Sequence, residues 1–139
     1  MGVLIDSSVV IDYERGRLDL PARLHGREEE PFFLSVISAS EILHGVHRAT
    51  EPRIRARRAA FVEGILAQFP LLPIDLPTAR AHAEIWARLE STGIMIGPHD
   101  TWLAASCIAH GLAIATANVR EFARVPGLVV QHCGMVQEP

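Results

Sequence analysis

Val3-Leu-Ile-Asp6-Ser-Ser-Val-Val-Ile-Asp12 opens with three apolar residues, turns polar at one acid, and continues with Val9, Val10 and Tyr13 on one side of a helical spacing. An unbroken apolar run of this kind reads as a strand buried on both faces, which belongs in a parallel sheet covered by helices. Ser7 to Glu14 reads as the first of those helices, and Asp6 falls at the junction.

The same alternation runs through the rest of the chain. A short helix around Pro21 to Glu29 precedes a second strand at Phe32-Phe-Leu34. Ser38 to Ala49 reads as a helix, with Ile42, Leu43 and Val46 at helical spacing. Pro52 to Phe69 reads as a longer one, with Ile54, Phe61, Ile65 and Leu66 inward and Arg53, Arg55, Arg57 and Arg58 outward. Leu71 to Ile74 is a third strand, which Pro73 pushes towards an edge. Thr78 to Leu89 is helical, and a turn over Gly93–Pro98 leads into a helix from Asp100 to His110 that Gly111 stops. Ala113 to Thr116, Val119 to Ala123 and Leu128 to Val130 complete the pattern as strand, short helix and strand. The order predicts an α/β protein: one domain over residues 1–139, a three-layer α/β/α sandwich with a mainly parallel sheet of about five strands. Trp86 and Trp102, among apolar neighbours, are expected in the core.

Composition narrows the possibilities. With 49% hydrophobic and 21% charged residues in 139, the chain has enough apolar surface for one core and is not disordered. Cys107 and Cys133, its two cysteines, lie outside any CxxC pattern, which excludes a disulfide framework and a cysteine zinc site and fits a reducing cytosol. No signal peptide, myristoylation site or membrane span is expected. All 13 basic residues are arginine, so chemistry that requires a lysine is excluded. Residues 48–58 carry five of them against one acid, a basic face in an otherwise acidic chain. Such a face suits a phosphate-bearing partner or serves as a solvated helix surface.

The acids are more specific. Asp6 follows the first strand, Glu41 lies in the helix after the second, Asp100 opens the helix before the fourth, and Glu121 follows the fourth. In a parallel sheet Asp6, Glu41 and Glu121 project into one crevice outside the carboxyl ends of the strands, where such folds bind ligands. Asp100 joins them if the turn before it folds back over that edge. Each acid also has a capping role open to it: Ser38-x-x-Glu41 and Asn118-x-x-Glu121 have capping-box spacing, and Asp6 and Asp100 suit N-caps. Four carboxylates in one cleft repel one another and call for a cation, and oxygen-only ligands suit Mg²⁺ or Mn²⁺. Thr116 and Asn118, at a strand's carboxyl end, are candidates for orienting metal-bound water from behind. The seven histidines form no metal-binding pattern, and His99 is left outside the site.

Four blocks together resemble the PIN-domain family, and within it the VapC-like toxin ribonucleases of bacterial toxin–antitoxin pairs. They are Val3 to Asp12, Ser35-Val-Ile-Ser-Ala-Ser-Glu41-Ile-Leu-His-Gly45, Asp100-Thr-Trp-Leu-Ala-Ala-Ser-Cys-Ile-Ala-His-Gly111 and Ala115-Thr-Ala-Asn-Val-Arg-Glu121-Phe122. The resemblance implies that Asp6, Glu41 and Asp100 form an acidic metal-binding core. The family's fourth acid, commonly Asp before a Phe, falls on Glu121. It further implies an endoribonuclease in which one or two Mg²⁺ or Mn²⁺ ions activate water against an RNA phosphodiester. Arg53, Arg55, Arg57 and Arg58 would contact RNA away from the scissile bond. The implied partners are a homodimer mate and a VapB-like antitoxin whose tail covers the acidic site. Lysine-dependent receiver domains and haloacid-dehalogenase-like phosphatases fit poorly, the latter also because Ser8 stands where they carry a second acid. A non-catalytic interaction module within an antitoxin or repressor complex, and a PIN-like nuclease directed at DNA, are the alternatives.

Overall fold

The computed structural model describes residues 1–134. Its centre is a five-stranded sheet in the order β3-β2-β1-β4-β5, made of β1 (Val3–Ile5), β2 (Phe32–Ser35), β3 (Leu71–Leu72), β4 (Ala113–Thr116) and β5 (Val130–His132). Every pairing is parallel. Seven helices cover it: α1 (Ser7–Glu14), α2 (Leu20–Leu24), α3 (Val36–Arg48), α4 (Pro52–Gln68), α5 (Leu76–Thr92), α6 (Pro98–His110) and α7 (Val119–Phe122). This is the expected three-layer sandwich, with its sheet wholly parallel.

Strand β1 shows how the layers arise. Its side chains alternate between faces, so Ile5 enters a core with Val9, Val10, Leu34, Ile42, Val62 and Ile65. Leu4 enters the opposite core with Leu89, Leu103, Ile114 and Phe122. Both faces of the strand are therefore apolar, and Val3, Leu4 and Ile5 are at most 1% exposed. Burial of each such side chain contributes about 1.5–3 kcal/mol.

The chain passes from β1 outward through β2 to β3, then returns to β4 on the other side of β1. The direction of winding thus reverses between β1 and β4, and the crevice of such a sheet opens at their carboxyl ends. Asp6 N–H extends that pairing by donating to Ala115 O at 2.9 Å. At the far end of α6, Gly111 (φ 66°) adopts the left-handed conformation that stops the helix, as its position predicts.

Several boundaries move. Helix α2 stops at Leu24, short of Glu29, and β3 holds only Leu71 and Leu72, because Pro73 cannot donate to a ladder. Strand β5 begins at Val130, where the sequence placed its end. In α4 Val62 and Ile65 are buried and Phe61 and Leu66 pack partly buried against the same core, whereas Ile54 is 46% exposed. Trp86 is half exposed rather than core, and Trp102 stacks on His82 with ring centroids 3.6 Å apart. Cys107 and Cys133 are both free thiols. No helix among the described residues is long and apolar enough to cross a membrane.

Candidate active site

None of the four acids caps its own helix. Asp6 occupies the N-cap of α1 but its side chain makes no capping bond. Helix α3 begins earlier than its sequence suggested: Ser35 is the cap, accepting from Ile37 N–H at 3.0 Å. Ser38 is therefore inside the helix, and Glu41 is released from the capping box. Helix α6 starts at Pro98 with Gly97 as its cap, which puts Asp100 in the first turn instead of at the N-cap. Glu121 likewise turns away from α7 and accepts the Gly97 N–H at 2.7 Å. That bond ties the turn before α6 to the residues that follow β4.

Asp6 is the anchor. It is 3% exposed, and its Oδ2 accepts from Ser8 Oγ at 2.7 Å and from Thr116 Oγ1 at 2.8 Å. Each hydroxyl in turn accepts a backbone amide, Ala117 N–H for Ser8 and Asn118 N–H for Thr116. An amide proton on the hydroxyl's acceptor side leaves its own proton directed at the carboxylate. No side-chain donor among the described residues reaches Oδ1. Burial nevertheless pushes the Asp6 carboxyl above its usual range, against the pull of these hydrogen bonds.

Glu41 is raised as well, first by burial and also by the Asp6 charge, with His99 opposing. Its Oε1 is buried without a hydrogen-bond partner, while Oε2 faces His99 Nδ1 at 3.6 Å. Asp100 is perturbed furthest, to about 7. Burial is the first cause, followed by the Asp6 charge, a hydrogen bond with Glu121, and the charges of Glu121 and Glu41. One carboxyl thus senses the other three acids: residues scattered over 116 positions meet at one place. Asn118 donates its side-chain N–H to Glu121 Oε2 at 3.4 Å, so Thr116 and Asn118 both act on carboxylates, holding Asp6 and Glu121 respectively.

Gly97 lies against two of these acids. A β-carbon there would stand 3.6 Å from both Asp100 Oδ2 and Glu121 Oε1, putting carbon where water or an ion could reach them. This residue, Ser8 and His99 were not picked out as site residues by sequence reasoning. For Ser8 a signal existed, since a hydroxyl two residues after a strand-end acid can bond back to it.

A hard cation suits this arrangement. The donors are all oxygen, one buried carboxylate oxygen lacks a partner, and three acids are held towards their protonated forms by burial and one another's charge. Among the described residues no three His, Cys, Asp or Glu side chains already enclose a point closely enough to hold an ion.

A pH dependence follows for the metal-free protein. Asp6, Glu41 and Asp100 all have folded-state values above their unfolded ones, so between about pH 4 and 7 the native state binds more protons than the unfolded chain. Stability then falls as pH rises across that window. The melting temperature in chelator is expected to be higher at pH 5 than at pH 7.5, and Asp100→Asn is expected to remove much of the difference.

The expected basic face divides. Arg58 donates to Gly45 O at 3.0 Å and pairs with Glu14 at 3.3 Å, tying α4 to α3 and α1. Arg55 lies 3.5 Å from His47 O. Arg53 and Arg57 are exposed.

The PIN domain pattern matches residues 3–128. The chain belongs to the PIN-domain family. Ribonuclease VapC1 of Rickettsia felis is 35% identical over 130 residues, covering 94% of this chain and 95% of its own. Among solved PIN-domain structures, DNA-bound VapBC from Salmonella typhimurium matches with a TM-score of 0.85 at 26% identity, covering 95% of this chain and 98% of its own. VapBC-5 of Mycobacterium tuberculosis, described as a member of a family of toxin–antitoxin systems, matches with a TM-score of 0.73 at 28% identity over 96% and 98% of the two chains.

Proposed function

We propose that this PIN domain is a divalent-metal-dependent endoribonuclease, the toxin of a toxin–antitoxin pair, with Asp6, Glu41, Asp100 and Glu121 as its metal-binding and catalytic acids. The observation that carries the reading is the buried, unpartnered Oε1 of Glu41 at the strand ends where Asp6 is anchored and where Asp100 Oδ2 and Glu121 Oε1 both lie against Gly97. Its relatives named as ribonucleases support RNA as substrate, and its VapBC neighbours support an antitoxin partner. A homodimer bound by a VapB-like antitoxin is the assembly proposed.

Mg²⁺ or Mn²⁺, as one ion or two, would supply an activated water and charge to stabilise the departing 3′ oxygen. The protein's own part is positioning. Ser8 and Thr116 lock Asp6 in one orientation. Asn118 and Gly97 hold the longer side chain of Glu121, so that it bears on Asp100 despite replacing the family's commoner aspartate. Asp100, raised to about 7 by burial and the neighbouring carboxylates, would hold the ion in its ionised form.

Thr116→Val keeps the shape but removes the donor to Asp6 and the acceptor of Asn118 N–H. It is expected to lower RNA cleavage by roughly 10–100-fold, the range for losing a residue that orients a metal ligand. It should also cost about 1–3 kcal/mol of stability for the orphaned amide. Thr116→Ser should restore both, as read by cleavage assay and thermal melting.

Arg53, Arg55 and Arg57 are proposed to contact the RNA backbone from the exposed side of α4, with Arg58 at its inner edge. Arg53→Ala with Arg57→Ala should lower the slope of log affinity against log salt by about 1.4, at roughly 0.7 per single-strand phosphate contact.

The reading is tested by offering the purified protein single-stranded RNA and DNA of one sequence with Mn²⁺. Cleavage of RNA alone supports it. Cleavage of DNA alone points to the DNA-directed alternative, and cleavage of neither points to an interaction module.

A further inference from the structure

A pocket of about 310 Å³ opens between α1, α3 and α4, and Glu41 lies on its wall. Val10, Ile42, Val62 and Phe61 give it an apolar lining, while Arg15, Arg48 and Arg58 bring three guanidiniums to it. Arg58 is already matched by Glu14 and Gly45 O. Arg15 and Arg48 are exposed and pair with no carboxylate among the described residues.

Their placement relative to the acids is regular. Arg48 closes α3 seven residues after Glu41, and Arg15 follows α1 nine residues after Asp6. At 1.5 Å per residue Arg48 stands roughly 10 Å along α3 from Glu41, and Arg15 follows the end of α1, the helix that begins just after Asp6. The arginine-lined pocket adjoins the acidic site at Glu41, which lies on its wall.

Resting on the ribonuclease reading, we infer that this pocket is the subsite for a nucleotide flanking the scissile bond, in a single RNA strand. Its phosphate lies between Arg15 and Arg48, and its base enters the apolar part beside Phe61. Guanidinium groups suit phosphate through paired N–H donors, and single-stranded RNA is held by just this mixture of cationic and aromatic surface. Continuity with the carboxylates favours a strand whose scissile phosphate is already seated there.

The experiment measures binding of a labelled single-stranded oligoribonucleotide to the Asp6→Asn protein with and without Arg15→Ala plus Arg48→Ala, over a range of salt. The double substitution is expected to weaken binding and reduce the magnitude of the log–log salt slope by about 1.4, at about 0.7 per phosphate contact. Arg15→Lys plus Arg48→Lys should keep the slope, because counterion release follows charge. Both pairs should melt with their parent, since neither arginine side chain makes a hydrogen bond or ion pair among the described residues. An unchanged slope and affinity in a protein whose wild type cleaves RNA would overturn the subsite alone. Loss of a co-purifying protein partner with RNA binding intact would assign the pocket to that partner and equally overturn it. A wild-type protein that neither binds nor cleaves RNA overturns the ribonuclease reading and the subsite with it.

Discussion

RNA cleavage by the Asp6→Asn protein is expected to fall by about a hundredfold or more, while its melting temperature in chelator holds or rises. The amide keeps the size of the carboxyl, and its oxygen can still accept from Ser8 and Thr116. What it gives up is the negative charge. The activity loss should therefore exceed the 10–100-fold expected of a residue that only supports a ligand. Stability should move the other way, because the native protein buries that charge at 3% exposure and sets it against Asp100 and Glu41. Initial rates on RNA, with thermal melting of both proteins, separate the effects. Wild-type cleavage by the variant removes Asp6 from the mechanism, and a large fall in melting temperature makes it a structural residue.

The second large effect concerns the ion. A chelator is expected to abolish cleavage, and Mn²⁺ to restore it. Mn²⁺ should also stabilise the fold, because an ion bound only by the native state adds RT ln(1 + [L]/Kd), about 2.7 kcal/mol at a hundredfold excess over Kd. For a domain of this size that is a rise in melting temperature on the order of 10 °C. The rise should be larger at pH 7.5 than at pH 5, where Asp100 holds a proton that the ion must displace. A non-catalytic interaction module would melt at the same temperature with and without Mn²⁺.

The fold was legible because local and global signals agreed. Val3-Leu-Ile5 is apolar on both faces and sits at the middle of the sheet, and Gly111 stops α6 where its position said it should. Errors gathered at element ends. The Ser38-x-x-Glu41 spacing imitated a capping box one turn inside α3, since a strand running directly into a helix hides where the helix begins. The inward side of α4 was misjudged at Ile54 because arginine stems and apolar residues are interleaved there.

The four proposed acids are legible in sequence as a candidate group because each follows the carboxyl end of a strand or, for Asp100, stands in the first turn of the helix after the turn that folds over it. Their support is not. That Ser8 and Thr116 share one oxygen of Asp6 depends on β1 and β4 being neighbours, and that Glu121 reaches Gly97 depends on the path of the turn before α6. The pairing of the subsite arginines is hidden for a related reason. Arg48 belongs to the basic run at 48–58, but Arg15 lies 33 residues away, and only the packing of α1 against α3 brings the two to one pocket.

Titration calorimetry of Mn²⁺ into the metal-free wild type and into Asp6→Asn, Glu41→Gln and Asp100→Asn asks most directly whether these carboxylates form one cation site. Saturable binding to the wild type, weakened about tenfold or more by each substitution, is the expected result. A wild type that takes up no ion, or three variants that bind it as the wild type does, would contradict a shared site.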